Sequence, residues 1–166
     1  MKIEYLGNEE LLKERKTAFL APRRIAPEAV MPSYDWAVEM ARRGECVISG
    51  FASPVERDVW DFLVGSGTQP VILVSVRSKF ARTPVKYRRL LAQGRLLIIF
   101  LGLDSRQSAA TAAERNRYVA ELADRVVIPS LHEASSLCPL CQAYGHKTRL
   151  LCPAQITDLK SNPYET

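Results

Sequence analysis

The sequence predicts a doubly wound α/β fold: a mainly parallel sheet of about six strands with helices on both faces. Two patterns and one length argue for it. Short runs of continuous apolar, largely β-branched residues recur along the chain, as in strands buried on both faces. Amphipathic stretches at helical spacing separate them, the alternation that crossover helices leave in a parallel sheet. The 166 residues suit one domain, and a domain of this size buries roughly 70% of its unfolded surface without needing disulfides or metal.

Taken in order, Thr17–Ala21 is the first predicted strand. Tyr34–Arg43 is a helix, stopped by Gly44, which can take a left-handed cap. Cys46–Ser49 is the second strand. Ser53, Pro54 and Glu56 then form a helix start: a cap, a first-turn proline and a carboxylate that can reach back to close a capping box. Val55, Val59, Phe62 and Leu63 continue that helix as one apolar face, which ends at Gly65-Ser66-Gly67. Pro70–Val76 is the third strand, Val85–Gln93 a short helix and Leu96–Leu101 the fourth strand. Ser108–Arg125 is helical, Val126–Pro129 a fifth strand, Ser136–Tyr144 a helix ended by Gly145, and Arg149–Cys152 a sixth strand. Residues 1–153 thus make a single domain, with 154–166 a loose tail.

Composition narrows the class further. With 47% apolar and 8% aromatic residues, the chain is neither disordered nor collagen-like. No apolar run approaches the ~18 residues of a membrane span. The N-terminus is charged where a signal peptide would be apolar. Four cysteines are too few for a disulfide framework at this length. A soluble cytoplasmic domain with reduced thiols and no membrane partner is expected. A homo-oligomer is compatible with this class of domain.

The net charge of +5 is unevenly placed. No Asp or Glu lies between Asp61 and Asp104, and that gap holds Arg77, Lys79, Arg82, Lys86, Arg88, Arg89 and Arg95. A basic block on a near-neutral body marks an anion or nucleic-acid surface, although a solvated basic helix and loop gives the same pattern.

In sheets of this class ligands bind beyond the carboxyl ends of the strands. The loops there carry Arg23 and Arg24 after the first strand, and Ser49, Gly50 and Ser53 after the second. Arg77 and Lys79 follow the third. The stretch Ser105–Ser108 follows the fourth, with Arg115, Asn116 and Arg117 one or two turns on. Helix N-termini present free N–H groups to phosphates, Gly50 permits close approach, and arginine clamps phosphate bidentately. An ordinary strand-to-helix turn accounts for Ser49-Gly50 taken alone, and surface charge for Arg115 and Arg117. Together at one sheet edge they favour an anion site.

Three of these segments carry a resemblance. Ala21-Pro22-Arg23 stands where a strand would end in Gly-Ser-Arg. Ser49-Gly50-Phe51-Ala52-Ser53-Pro54-Val55-Glu56 follows Ser-Gly-x-Ala-x-Gly-x-Asp. Arg115-Asn116-Arg117, with Leu122-Ala123-Asp124 behind it, matches an Arg-Asn-Arg helix followed by Leu-(Ser/Ala)-Asp. In this order, with Ser136-Leu137 after them, they resemble the Rossmann-like domain of the DNA-processing protein A (DprA/Smf) family, over about Lys16 to Pro153. The resemblance implies binding of single-stranded DNA, and help in loading recombinase onto it, by a basic pocket at the sheet edge. It implies that Arg23, Ser49, Gly50, Arg115 and Arg117 line that pocket, with Asn116 orienting the local backbone. Three positions depart from the pattern: Ala21-Pro22 replaces Gly-Ser, Pro54 replaces Gly and Glu56 replaces Asp. Pro22 removes an N–H donor and crowds a close phosphate.

The Pro-Gly-Gly-x-Gly-Thr signature of related nucleotide-hydrolysing Rossmann proteins does not occur, and without a G-x-G-x-x-G no dinucleotide cofactor is expected; no other cofactor is implied. Cys138, Cys141, His146 and Cys152 run C-x2-C-x4-H-x5-C, one residue longer than a zinc knuckle. Three thiolates and an imidazole are a tetrahedral zinc set. The competing expectation puts Cys138 and Cys141 on one helix face and Cys152 in the sheet, as buried free thiols. A redox Cys-x-x-Cys is a further alternative. Glu56, Asp104 and His132 are the nearest acid–base candidates, but they form no defensible pair.

The function expected is therefore DNA-processing-like binding of single-stranded DNA or a nucleotide phosphate, with no catalysis assigned. An enzyme acting on a nucleotide or related phosphorylated small molecule is the alternative. A scaffold whose basic block serves only solubility is the third.

Overall fold

Successive residues along the central strands feed two separate apolar cores. Ala18 and Leu20 enter one, Phe19 and Ala21 the other; Ile72 and Val74 alternate likewise with Val71 and Leu73. That period-two division is what a sheet covered on both faces requires. In the computed structural model, which describes residues 2–103, 108–132 and 134–152, seven strands build the sheet. They are β1 (Glu4–Gly7), β2 (Lys16–Phe19), β3 (Cys46–Ser49), β4 (Val71–Ser75), β5 (Leu96–Phe100), β6 (Arg125–Ile128) and β7 (Thr148–Leu150). Side by side they run β1-β5-β4-β3-β2-β6-β7. β1 is antiparallel to β5 and every other pair is parallel.

The doubly wound α/β expectation holds, and β1 is an additional edge strand. Its pattern is hidden by charge: Ile3 and Tyr5 pack on one core and Leu6 on the other, with Glu4 between them. The Asn8 N–H donates to the Leu96 carbonyl at 3.0 Å, carrying the pairing past its end.

Helices α1 (Val30–Arg43), α2 (Pro54–Ser66) and α3 (Val85–Ala92) cover one face, and α4 (Ala109–Leu122) and α5 (Cys138–Ala143) the other. Trp36, Ala37 and Met40 of α1, Val55, Val59 and Leu63 of α2 and Leu90 of α3 fill one core. Val119 and Ala120 of α4 fill the other. Gly44 ends α1 at φ 68°, the left-handed value its position requires. α4 stops before Arg125, where the sequence suggests it continues. Pairing with β2 takes over there: the Asp124 N–H donates to the Lys16 carbonyl and Asp124 Oδ2 accepts the Lys16 N–H, both at 2.8 Å.

The chain winds outward from β2 to β5 on one face, then α4 carries it back across the other to β6 beside β2. The loops beyond that switch point are tied together. The Leu20 N–H donates to the Val127 carbonyl at 3.0 Å, and the Ala26 N–H to Ser130 Oγ at 3.3 Å. The open ground beyond the sheet edge therefore lies further along, past β3 and β4.

Candidate functional site

Helix α2 turns its apolar stripe inward, and the residues beside that stripe decide what faces the sheet edge. Arg57, Trp60 and Asp61 stand at i, i+3 and i+4, one shared face. They form one wall of a cleft of about 460 Å³ beyond β3 and β4. Arg77 and Phe80, after β4, and Lys86 and Tyr87 on α3 also line it, as do Gly50 and Arg115.

The rings in this cleft are linked. Phe51 meets Trp60 edge-on at 5.1 Å between centroids, and Trp60 meets Tyr87 edge-on at 5.8 Å. Tyr87 stacks on Phe80 at 5.9 Å, and Phe80 packs against the fully buried Phe100 of β5 at 4.9 Å. Core packing thus holds ring positions at the surface. Trp60, Phe80 and Tyr87 stay half-buried. Lys86 Nζ sits 5.0 Å from the Tyr87 centroid, close enough for a cation–π contact.

The β3–α2 turn is tightly built. Ser49 is buried, and its Oγ accepts the Phe51 N–H at 3.0 Å. Phe51 adopts φ 46°, an unfavourable left-handed conformation for an aromatic residue. A side chain on Gly50 would overlap the Arg115 guanidinium. Arg115 is 5% exposed, and its Nε and Nη2 donate to Asn116 Oδ1 at 3.4 and 3.3 Å.

Glu56 closes the turn from beneath, 1% exposed. Its Oε2 accepts the Ala21 N–H at 2.9 Å, and its Oε1 accepts the Ala52 and Ser53 N–H groups at 2.8 and 3.2 Å. Burial pushes its carboxyl above the usual range, opposed by those N–H donors and by the charge of Arg115. Burial in turn lowers the Arg115 pKa, with Glu56 offsetting it. The Ala21, Ala52 and Ser53 N–H groups, which a phosphate seated on the turn ahead of α2 would use, are thus engaged by the chain's own carboxylate.

Of the residues singled out in the sequence, Gly50, Arg77 and Arg115 line the cleft. Asn116 supports Arg115 rather than facing the cleft. Ser49 and the Ser53 N–H are bonded within the turn. Arg23 and Arg24 are exposed after β2, Lys79 is exposed after Arg77, and Arg117 is exposed on α4; none of the four lines the cleft. Asp104 and most of Ser105–Ser108 lie outside the described residues, as does the 154–166 tail. Arg57, Trp60, Asp61, Phe80 and Tyr87 were not among the expected site residues, and Lys86 was expected only as a member of the basic block. Trp60 carried a readable signal, an aromatic residue off the apolar stripe of α2.

Cys138 and Cys141 sit on α5, packed against the core, and Cys138 Sγ donates to the His132 carbonyl at 3.1 Å. Cys152 Sγ donates to the Glu28 carbonyl at 3.7 Å. His146 is exposed in the 3-10 turn Gly145–Lys147. Among the described residues no group of three or more His, Cys, Asp or Glu is placed to hold a metal ion. Nor is any helix among them long and apolar enough to cross a membrane.

The sequence profile of DNA recombination-mediator protein A matches residues 1–162, nearly the whole chain. The chain belongs to that family. No curated protein sequence matches it. Among solved structures, DNA processing protein A from Helicobacter pylori, described for its single-stranded DNA binding mode, superposes with a TM-score of 0.68 at 24% identity. That match covers 89% of this chain and 70% of the other. DNA processing protein A from Streptococcus pneumoniae gives a TM-score of 0.68 at 18% identity, covering 89% of this chain and 53% of the other. The molybdenum cofactor carrier protein of Chlamydomonas reinhardtii shares the fold at a TM-score of 0.51 and 10% identity, covering 89% of this chain and 98% of that one. This DNA recombination-mediator protein A relative thus spans about half the length of the S. pneumoniae protein.

Proposed function

We propose that the protein binds single-stranded DNA in the cleft between α2 and α3, with no catalysis assigned to it. One observation carries this: aromatic faces and cations line the same cavity. Trp60, Phe80 and Tyr87 offer surfaces for bases, and Arg57, Arg77 and Lys86 surround them with positive charge. Sequence-independent single-strand binders combine these two elements, since every base has a π-face and every nucleotide a phosphate. The basic block extends the charge outward along α3, where Arg88 and Arg89 are exposed. Arg23, Arg24, Lys79 and Arg117 lie on exposed loops and α4, where they add to the field a strand meets rather than to the cleft. On this reading the protein works in the cytoplasm, where its cysteines remain reduced.

A mononucleotide is the second reading, favoured by size: about 460 Å³ falls within the small-molecule range of about 300–1,000 Å³. Titration with a fluorescently labelled oligothymidylate tests the first. Binding at low salt that weakens at least about fivefold in Trp60→Ala supports it, given about 1–3 kcal/mol per stacked base. Absence of binding to any oligonucleotide, beside a thermal shift with nucleotides, leaves the second.

A further inference from the structure

Asp61 is the one acidic side chain lining the cleft among the described residues. It stands beside Trp60 and one turn after Arg57, immediately before the long acid-free stretch of the chain. In a cleft meant for phosphates, a carboxylate weakens the attraction. Its charge is not spent locally either: Asp61 takes part in none of the ion pairs formed among the described residues. Its position next to the stacking faces gives it a different use. Asp61 lines the same cleft as the Trp60 and Tyr87 rings, so a base settling on those rings can turn its hydrogen-bonding edge to the carboxylate.

We infer that Asp61 selects guanine at this position of the bound strand, an inference that rests on the single-strand reading above. Guanine alone offers two parallel donors, N1–H and the 2-amino group, which match the two oxygens of a carboxylate. Adenine and cytosine each place one amino donor beside a ring nitrogen acceptor, which repels the second oxygen. Thymine places its N–H between two carbonyls. A bidentate contact of this kind discriminates against other bases by about fivefold or more. The cations of the cleft hold the strand, and Asp61 sets which base settles on the rings.

The test uses short oligothymidylates that differ in one central base: thymine, cytosine, adenine, guanine or hypoxanthine. Hypoxanthine keeps N1–H but lacks the 2-amino group. The expected order is guanine tightest, by about fivefold or more over thymine, adenine and cytosine, with hypoxanthine between. Asp61→Asn, at an exposed helix position that tolerates exchange, erases the order. Equal affinities in the unmodified protein overturn the inference while leaving strand binding intact. A guanine preference that survives Asp61→Asn overturns it as well. Binding to none of the oligonucleotides is a separate failure, overturning the single-strand reading and the selectivity built on it.

Discussion

The Arg115 guanidinium lies against Gly50 so closely that any side chain there would overlap it. Gly50 is required for space, not for a special backbone conformation, since its φ is not in the left-handed region. The arrangement puts a buried cation in the lining of the cleft and joins α4 to the β3–α2 turn.

Gly50→Ala therefore forces Arg115 out of place. Overpacking of this kind costs about 1–3 kcal/mol, and the melting temperature falls by several degrees. Oligonucleotide affinity falls with it. Paired with Arg115→Ala in a double-mutant cycle, the losses are expected to be less than additive, because the clash disappears with the guanidinium.

Glu56→Gln tests the turn beneath. Both carboxylate oxygens accept N–H groups, so an amide must point its NH2 at one set of donors and leave an N–H unpaired. Buried at 1% exposure, that arrangement costs about 1–3 kcal/mol. Urea unfolding should show a lower midpoint at unchanged slope. Glu56→Asp, one methylene shorter, should not restore the contacts to both Ala21 and Ala52.

These two residues show what the sequence could and could not disclose. The capping carboxylate was readable from Ser53, Pro54 and Glu56, because spacing alone specifies that contact. The buried strands were readable for the same reason: continuous apolar runs have one way to be satisfied. β1 was not, because Glu4 breaks its apolar run. The cleft was only half readable. Gly50, Arg77 and Arg115 followed from the rule that ligands bind past strand ends. Trp60 stood out from the apolar stripe of α2, but that it and Arg57 meet Tyr87 across one cleft depends on how α2 and α3 pack, which local spacing does not fix. Nor could spacing show that Glu56 would also take the N–H groups of Ala21 and Ala52, since the first lies just past another strand.

Cys46 gives a pH signature of the other core. Burial pushes its thiol up to about 12 from an ordinary 9.0. A thiol raised in the folded state stabilises the fold fully below pH 9.0 and loses that contribution as pH rises toward about 12. Stability curves of the unmodified protein and Cys46→Val should run parallel below pH 9 and converge or cross above it, as the unmodified protein loses the more. A constant difference throughout would count against the burial of Cys46. Thiol reagents at neutral pH should reach Cys46 only after unfolding.

Arg77 and Lys86 are the cations expected to hold phosphates in the cleft. The most direct measurement is the salt dependence of oligonucleotide binding, in the unmodified protein and in Arg77→Ala and Lys86→Ala. For a single strand, log K against log salt falls by about 0.7 per phosphate neutralised. Each replacement should flatten that slope by about 0.7, and both together by about twice as much. A slope that is the same in all three proteins would show that strands are held elsewhere and would contradict the assignment.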